Sequence, residues 1–337
     1  MKRLVIGISL LLLVAATASS IPSRAQEANT ASANPTEQAA NNDAQPPTKN
    51  WATGNPLKIA LLKWYQANTT TEIKVGSQPY GVAFDGGNIW TANFGDGTVT
   101  KVRASDGEVL GTFKAGVEPY GVTFDGANIW VSNVGDGTVD KLRASDGKNL
   151  GTFTIGAPPG WMAFDGAHIW VTAGNNTVAK LRASDGKNLG NFAVAGPPIA
   201  IAFDGANVWV TNGKNTVSKL RASDGKNLGN FDVGRAPLGI AFDGANIWVA
   251  NRGDGTVSKL RASDGKNLGT FEVHGGGAYG LAFDGANIWV TAEPYVLELR
   301  LSDGAILGFY SMYAAGVAFD GANIWVTEYA NSAVHKL

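Results

Sequence analysis

The chain has 337 residues, carries 27 Lys or Arg against 28 Asp or Glu, and contains 44 glycines and no cysteine. The missing cysteine excludes disulfides and a lipid anchor attached through a thiol. The balanced charge gives little general pull on nucleic acid or anionic lipid.

Lys2 and Arg3 precede an apolar run from Leu4 to Ala18, and small residues close in Ser23-Arg24-Ala25. This has the form of a secretory signal over residues 1–25, with an apolar run too short to span a bilayer. Its removal takes Lys2, Arg3 and Arg24, leaving 24 basic and 28 acidic residues, a formal charge of −4. The destination expected is periplasmic or secreted, with no integral membrane segment after cleavage. Residues 26–54, rich in Ala, Asn, Gln, Thr and Pro, read as a disordered linker. Asn55-Pro56-Leu57 caps and opens a predicted short helix over 55–68, with Leu57, Leu61, Trp64 and Tyr65 on one face.

From residue 69 the chain repeats itself. Phe-Asp-Gly, then Ala or Gly, Asn or His, Ile or Val, and Trp occurs with its Phe at 84, 124, 164, 203, 242, 283 and 319. Between copies stands Arg-Ala-Ser-Asp-Gly, beginning at Arg103, Arg143, Arg182, Arg221 and Arg261, with a worn version at Arg300 to Gly304. Within the first copy, strand signals run Tyr80 to Phe84, Asn88 to Ala92, Thr98 to Arg103 and Val109 to Lys114, separated by Asp-Gly turns. A period near forty residues with four short strands predicts propeller blades. The last copy supplies three strands only, and Thr71 to Gly76 resembles the missing fourth. The expected fold is all-β: a seven-bladed β-propeller over 69–337, four antiparallel strands per blade, closed by an N-terminal outer strand in the last blade.

The innermost strand comes first, so the Phe-Asp-Gly and Arg-Ala-Ser-Asp-Gly turns share one rim, nearly identical in every copy. The other rim differs from copy to copy and is the candidate binding face. Four residues before each repeated Phe stand Tyr80, Tyr120, Gly160, Ile199, Leu238, Tyr279 and Ala315, expected at the mouth of the central channel with Trp161 and Tyr313 close by. Hairpins and blade connections on that rim add Phe94, Lys214, Arg252, Glu293 with Tyr295, Glu328 with Tyr329, and Glu118, Arg235 and His274. Aromatic rings beside a few charges at a concave mouth suit a small molecule or peptide. The alternative is that they only seal the channel.

Other motifs read as structure. Arg252-Gly253-Asp254 repeats the Gly-Asp-Gly hairpin pattern at 95 to 97 and 135 to 137, and the repeated aspartates stand singly in turns, without calcium-loop spacing. The third-strand Lys and Arg, such as Lys219 and Arg221, are expected in surface or interblade ion pairs. Of three histidines, His168 replaces Asn in a rim turn, and His274, beside three glycines, is the better catalytic candidate.

The unit Pro-Tyr-Gly-Val-Ala-Phe-Asp-Gly, Asn-Ile-Trp-Val-Thr-Asn, Asn-Thr-Val-Ser-Lys-Leu, Lys-Asn-Leu-Gly-Thr-Phe resembles the repeats of YVTN-type (YncE-like) bacterial propellers. It is also similar to the virginiamycin B lyase family, which implies magnesium held by glutamates and a histidine acid on one rim. Glu328 keeps the acid that family favours after Trp-x-Thr, and Glu293 is displaced by one residue. The function expected is an exported, non-catalytic binding or scaffold module without a cofactor. Its binding residues would be Tyr80, Tyr120, Trp161, Arg235, Tyr279, Tyr295, Tyr313 and Tyr329. Partners would be a small molecule, a peptide or an envelope protein, with no nucleic acid, and the chain is expected to be a monomer. The alternative is a magnesium-dependent lyase using His274, Glu293 and Glu328.

Overall fold

The computed structural model describes residues 71–337. The signal segment 1–25, the linker 26–54 and the short helix 55–68 lie outside the described residues. Every described element is a strand, and the strands form seven four-stranded antiparallel sheets. In the first blade they span Pro79–Phe84, Asn88–Asn93, Thr98–Arg103 and Val109–Lys114, within a residue of the expected limits. The seventh blade takes its outer strand from Thr71–Lys74, which pairs Ile73 with Val334 on the strand Ala333–Lys336. The predicted closure holds.

The turn between the first and second strands of each blade satisfies itself. The Asp125 Oδ1 atom accepts from the backbone N–H groups of Ala127 and Asn128, and Oδ2 accepts from the Trp130 indole at 2.8 Å. The same Asp-to-Trp bond recurs in all seven blades at 2.7 or 2.8 Å. Gly126 and its equivalents hold the left-handed backbone the turn needs, with φ near 95° at Gly126. His168 takes the Asn role, its Nδ1 3.1 Å from Asp165.

The indole so anchored lies in the interface between blades. The core is a series of slabs, in one of which Trp130 and Val139 of blade 2 meet Ile169, Val171 and Leu181 of blade 3. Lys101 lies over the Trp90 ring at 5.2 Å and donates to the Ala144 carbonyl of the next blade at 2.7 Å. Equivalent clasps from Lys141, Lys180, Lys219, Lys259 and Lys336 join every other pair of neighbours except blades 6 and 7. This corrects the expectation for Lys219, whose partners are the Ala262 and Ser263 carbonyls. Arg221 does form an exposed ion pair, with Asp224 of its own turn. At the remaining seam Glu298 occupies the lysine position opposite Trp289, and no turn joins the third and outer strands of blade 7. Trp289 is accordingly 8% exposed, against 0% for its six counterparts.

The inner strands converge on the axis. The Thr211 hydroxyl donates to the Leu238 carbonyl of the next blade at 2.8 Å, and the Thr327 hydroxyl does the same to Tyr80. These bonds draw neighbouring first strands so close that a Cβ on Gly316 would stand 2.3 Å from the Tyr80 carbonyl oxygen. Glycine is required there by approach, and the residue before it is left facing the channel.

Candidate functional site

Six of the seven predicted mouth positions line one apolar cavity of about 170 Å³ on the axis: Tyr80, Tyr120, Ile199, Leu238, Tyr279 and Ala315. At the seventh, Gly160 leaves the place to Trp161, which lines the same cavity. Its deeper wall comes from Met162, Ile201, Ile240, Leu281 and Val317. These were not singled out from the sequence, although the alternation of the first strand, two residues on from each predicted mouth position, marks all five.

The rings form a continuous arc. Trp161 meets Tyr120 edge to face at 5.2 Å, Tyr120 meets Tyr80 at 5.3 Å, and Tyr80 stacks on Tyr329 at 5.9 Å with the planes 1° apart. Phe94 closes edge-on against Tyr80 at 5.5 Å. Beyond Tyr329 comes Glu293, which accepts from the Tyr329 and Tyr279 hydroxyls, each at 3.4 Å. The Arg252 guanidinium lies over the Tyr279 ring at 5.1 Å. Opposite the arc, Ile199 and Leu238 present aliphatic side chains.

Burial and charge act together on these phenols. Burial first, then the Glu293 charge, raises the Tyr80 hydroxyl above its ordinary pKa, and the same two causes lead at Tyr329. Burial likewise pushes Tyr120 up. All three are neutral hydroxyls at neutral pH, able to donate.

The other predicted residues lie elsewhere. Tyr295 packs edge-on against Phe309 of its blade's outer strand at 5.6 Å, and Tyr313 is 52% exposed. Arg235 is exposed, its Nε tied to Asp254 at 2.6 Å. His274 is exposed on the connection between blades 5 and 6. Glu328 is buried, accepting from Asn331 and lying 2.7 Å from the Nε2 atom of the buried His335. That pair occupies the place held by Asn93 with Thr100, Asn212 with Ser218 and Asn251 with Ser258 in other blades. The sequence carried the signal, an equivalent spacing along the second and third strands, which points Glu328 inward as blade structure. Among the described residues no three His, Cys, Asp or Glu side chains come together as ligands.

The comparisons agree with this architecture. The family model described as outer membrane protein assembly factor BamB matches residues 125–275. Virginiamycin B lyase from Staphylococcus aureus is similar in structure, with a TM-score of 0.69 at 17% identity over 80% of this chain and 98% of that one. The fold is shared with virginiamycin B lyase. A catalytically inactive variant of that lyase, solved with quinupristin, gives a TM-score of 0.69 at 19% identity, covering 80% of this chain and 98% of the other. Hydrazine synthase from Kuenenia stuttgartiensis is similar with a TM-score of 0.68 at 16% identity, over 79% of this chain and 97% of that chain. No curated protein matches the chain in sequence. Among the described residues no helix is long and apolar enough to cross a membrane.

Proposed function

We propose that the propeller is an exported, non-catalytic binding module whose aromatic mouth takes an apolar group of a small molecule or of a peptide presented by an envelope protein. The observation that carries this reading is the arc of rings from Trp161 to Tyr329, continued through Glu293 to Tyr279, around an apolar cavity of about 170 Å³. A mouth that only sealed the channel would need no hydroxyls and no carboxylate beside it; here polar tips fringe an apolar floor, as in ligand sites. The family model described as an outer membrane protein assembly factor supports an envelope setting, together with the signal-like start of the chain.

The likeness in fold to virginiamycin B lyase favours a second reading, a magnesium-dependent lyase. The donor set argues against it, since Glu328 is committed to His335 and, among the described residues, no three His, Cys, Asp or Glu side chains come together around Glu293 or His274. The deciding experiment is a thermal-shift survey of small aromatic and aliphatic ligands and peptides on the full-length chain and on Tyr120→Ala/Trp161→Ala. A ligand at one hundred times its Kd stabilises by about 2.7 kcal/mol, a visible shift. Ligands of the mouth are expected to lose that shift in the double variant. Ligands that bind the variant equally well overturn the reading. Opening of a cyclic depsipeptide lactone with added magnesium, lost in His274→Ala, would establish the lyase instead.

A further inference from the structure

Glu293 has no ion-pair partner among the described residues, and of the rim acids without one it is the acid that the mouth tyrosines contact. Asp254, on the same rim, is held by Arg235. The two phenol contacts to Glu293, at 3.4 Å each, are long for bonds to a carboxylate and leave most of its charge unmet. Arg252 does not meet it either, since its guanidinium is turned onto the Tyr279 ring. The charge that reaches the Tyr80 and Tyr329 hydroxyls is that of Glu293.

Around this carboxylate stand three tyrosines, and the faces of aromatic rings carry negative potential that attracts cations. Tyr80 and Tyr329 are fixed by stacking, and Tyr279 by Arg252. Below them the apolar cavity of about 170 Å³ is close in size to the engineered cavity of about 150 Å³ that holds one benzene. A negative, electron-rich fringe over a ring-sized apolar well selects for one chemistry.

We propose that the mouth recognises an organic cation, an ammonium carried on a single ring-sized apolar group, with the ammonium held by Glu293 among Tyr80, Tyr279 and Tyr329 and the apolar body entering the channel beside Trp161. The proposal rests on the reading of the mouth as a binding site. An anion would meet only Arg252, and a neutral ligand would leave Glu293 unpaired when the mouth is covered, which is costly for a carboxylate.

The test is calorimetric titration of the full-length chain with three probes: benzyltrimethylammonium, its neutral isostere neopentylbenzene, and phenylacetate. The cation is expected to bind most tightly. Glu293→Gln is expected to weaken it by about tenfold to thirtyfold, the worth of a desolvated cation contact, and to leave neopentylbenzene unchanged. On the wild-type chain, raising the ionic strength from about 0.01 M to about 0.5 M should weaken the cation and spare the neutral probe, so the inference is testable even where the variant folds poorly. Equal affinity for cation and neutral probe, tighter binding of phenylacetate, or a Glu293→Gln effect within about twofold at the precision of such constants overturns it. The two readings separate on Trp161→Ala. Loss of neopentylbenzene binding in that variant, with no cation preference in the wild type, would sink the cation inference and leave the binding mouth standing. Neopentylbenzene binding that Trp161→Ala does not touch would sink both.

Discussion

On one rim of the ring every Phe-Asp-Gly aspartate is satisfied within its own blade, Asp125 by two backbone amides, Asn128 and the Trp130 indole. On the other rim Glu293 meets its tyrosines only at 3.4 Å, and five different kinds of side chain share the channel mouth. The first arrangement leaves nothing to offer a ligand, and its repetition means that any change costs stability. The second leaves ring faces, hydroxyls and a charge uncommitted, at the ends of strands already held elsewhere. Divergence is tolerated where the fold has been secured by other atoms.

The contrast breaks most readily at the buried indoles. Trp130→Ala is expected to cost about 3 to 5 kcal/mol in denaturant unfolding, as for other buried large aromatics. Trp289→Ala should cost less, because its ring is already partly open and no lysine lies over it.

Asp125→Ala should follow, at about 1 to 3 kcal/mol, since the buried indole N–H loses its acceptor. Burial pushes the carboxyls of Asp125, Asp165, Asp204, Asp243 and Asp320 upward, but their bonds from the Trp indole, the backbone amides and the third-position side chain outweigh it, and each ends below its ordinary value. A carboxyl whose folded pKa is depressed stabilises fully above its unfolded pKa of about 4 and loses that contribution as pH falls through the folded value. Unfolding midpoints measured downward from pH 6 should therefore hold nearly level, then fall below about pH 4. Asp125→Asn should reduce that fall.

Lys141→Ala leaves a neighbouring blade's carbonyl unpaired and should cost about 1 to 2 kcal/mol. Trp161→Ala, at the half-buried mouth, should cost about as little while abolishing ligand binding; a midpoint loss as large as that of Trp130→Ala would make Trp161 a core residue and erase the distinction.

Most of the fold was legible because it is built from local signals repeated seven times. Gly after Asp marks each turn, strand lengths follow from the spacing, and the leftover Thr71 strand announces closure. The mouth was legible by comparing copies, since Tyr80, Tyr120 and Tyr279 occupy one position of the repeat and that position faces the axis. What could not be read were partners brought together across blades. Lys101 finds its carbonyl at Ala144, in the next copy, and nothing local distinguishes that contact from a surface ion pair. Glu328 was a candidate ligand because it keeps the acid that the virginiamycin B lyase family favours, whereas in the fold it is met by His335 across the ladder. Tyr295 shares a hairpin with Glu293, yet its side chain leaves toward Phe309.

The seam between blades 6 and 7, where Glu298 stands in for lysine, gives the ring a preferred place to breathe. Six joints are stitched by a lysine ammonium, and the seventh is held without one, by packing, the Thr291 hydroxyl donating to the Ala315 carbonyl and the long Tyr329 contact to Glu293. Transient separation should therefore start there, and amide protons of Ile324–Glu328 should exchange with solvent sooner than those of the matching strand Asn128–Asn133. A ring that parts at one known joint can relax strain without unfolding. It does so beside Tyr329, one of the rings that frame the mouth.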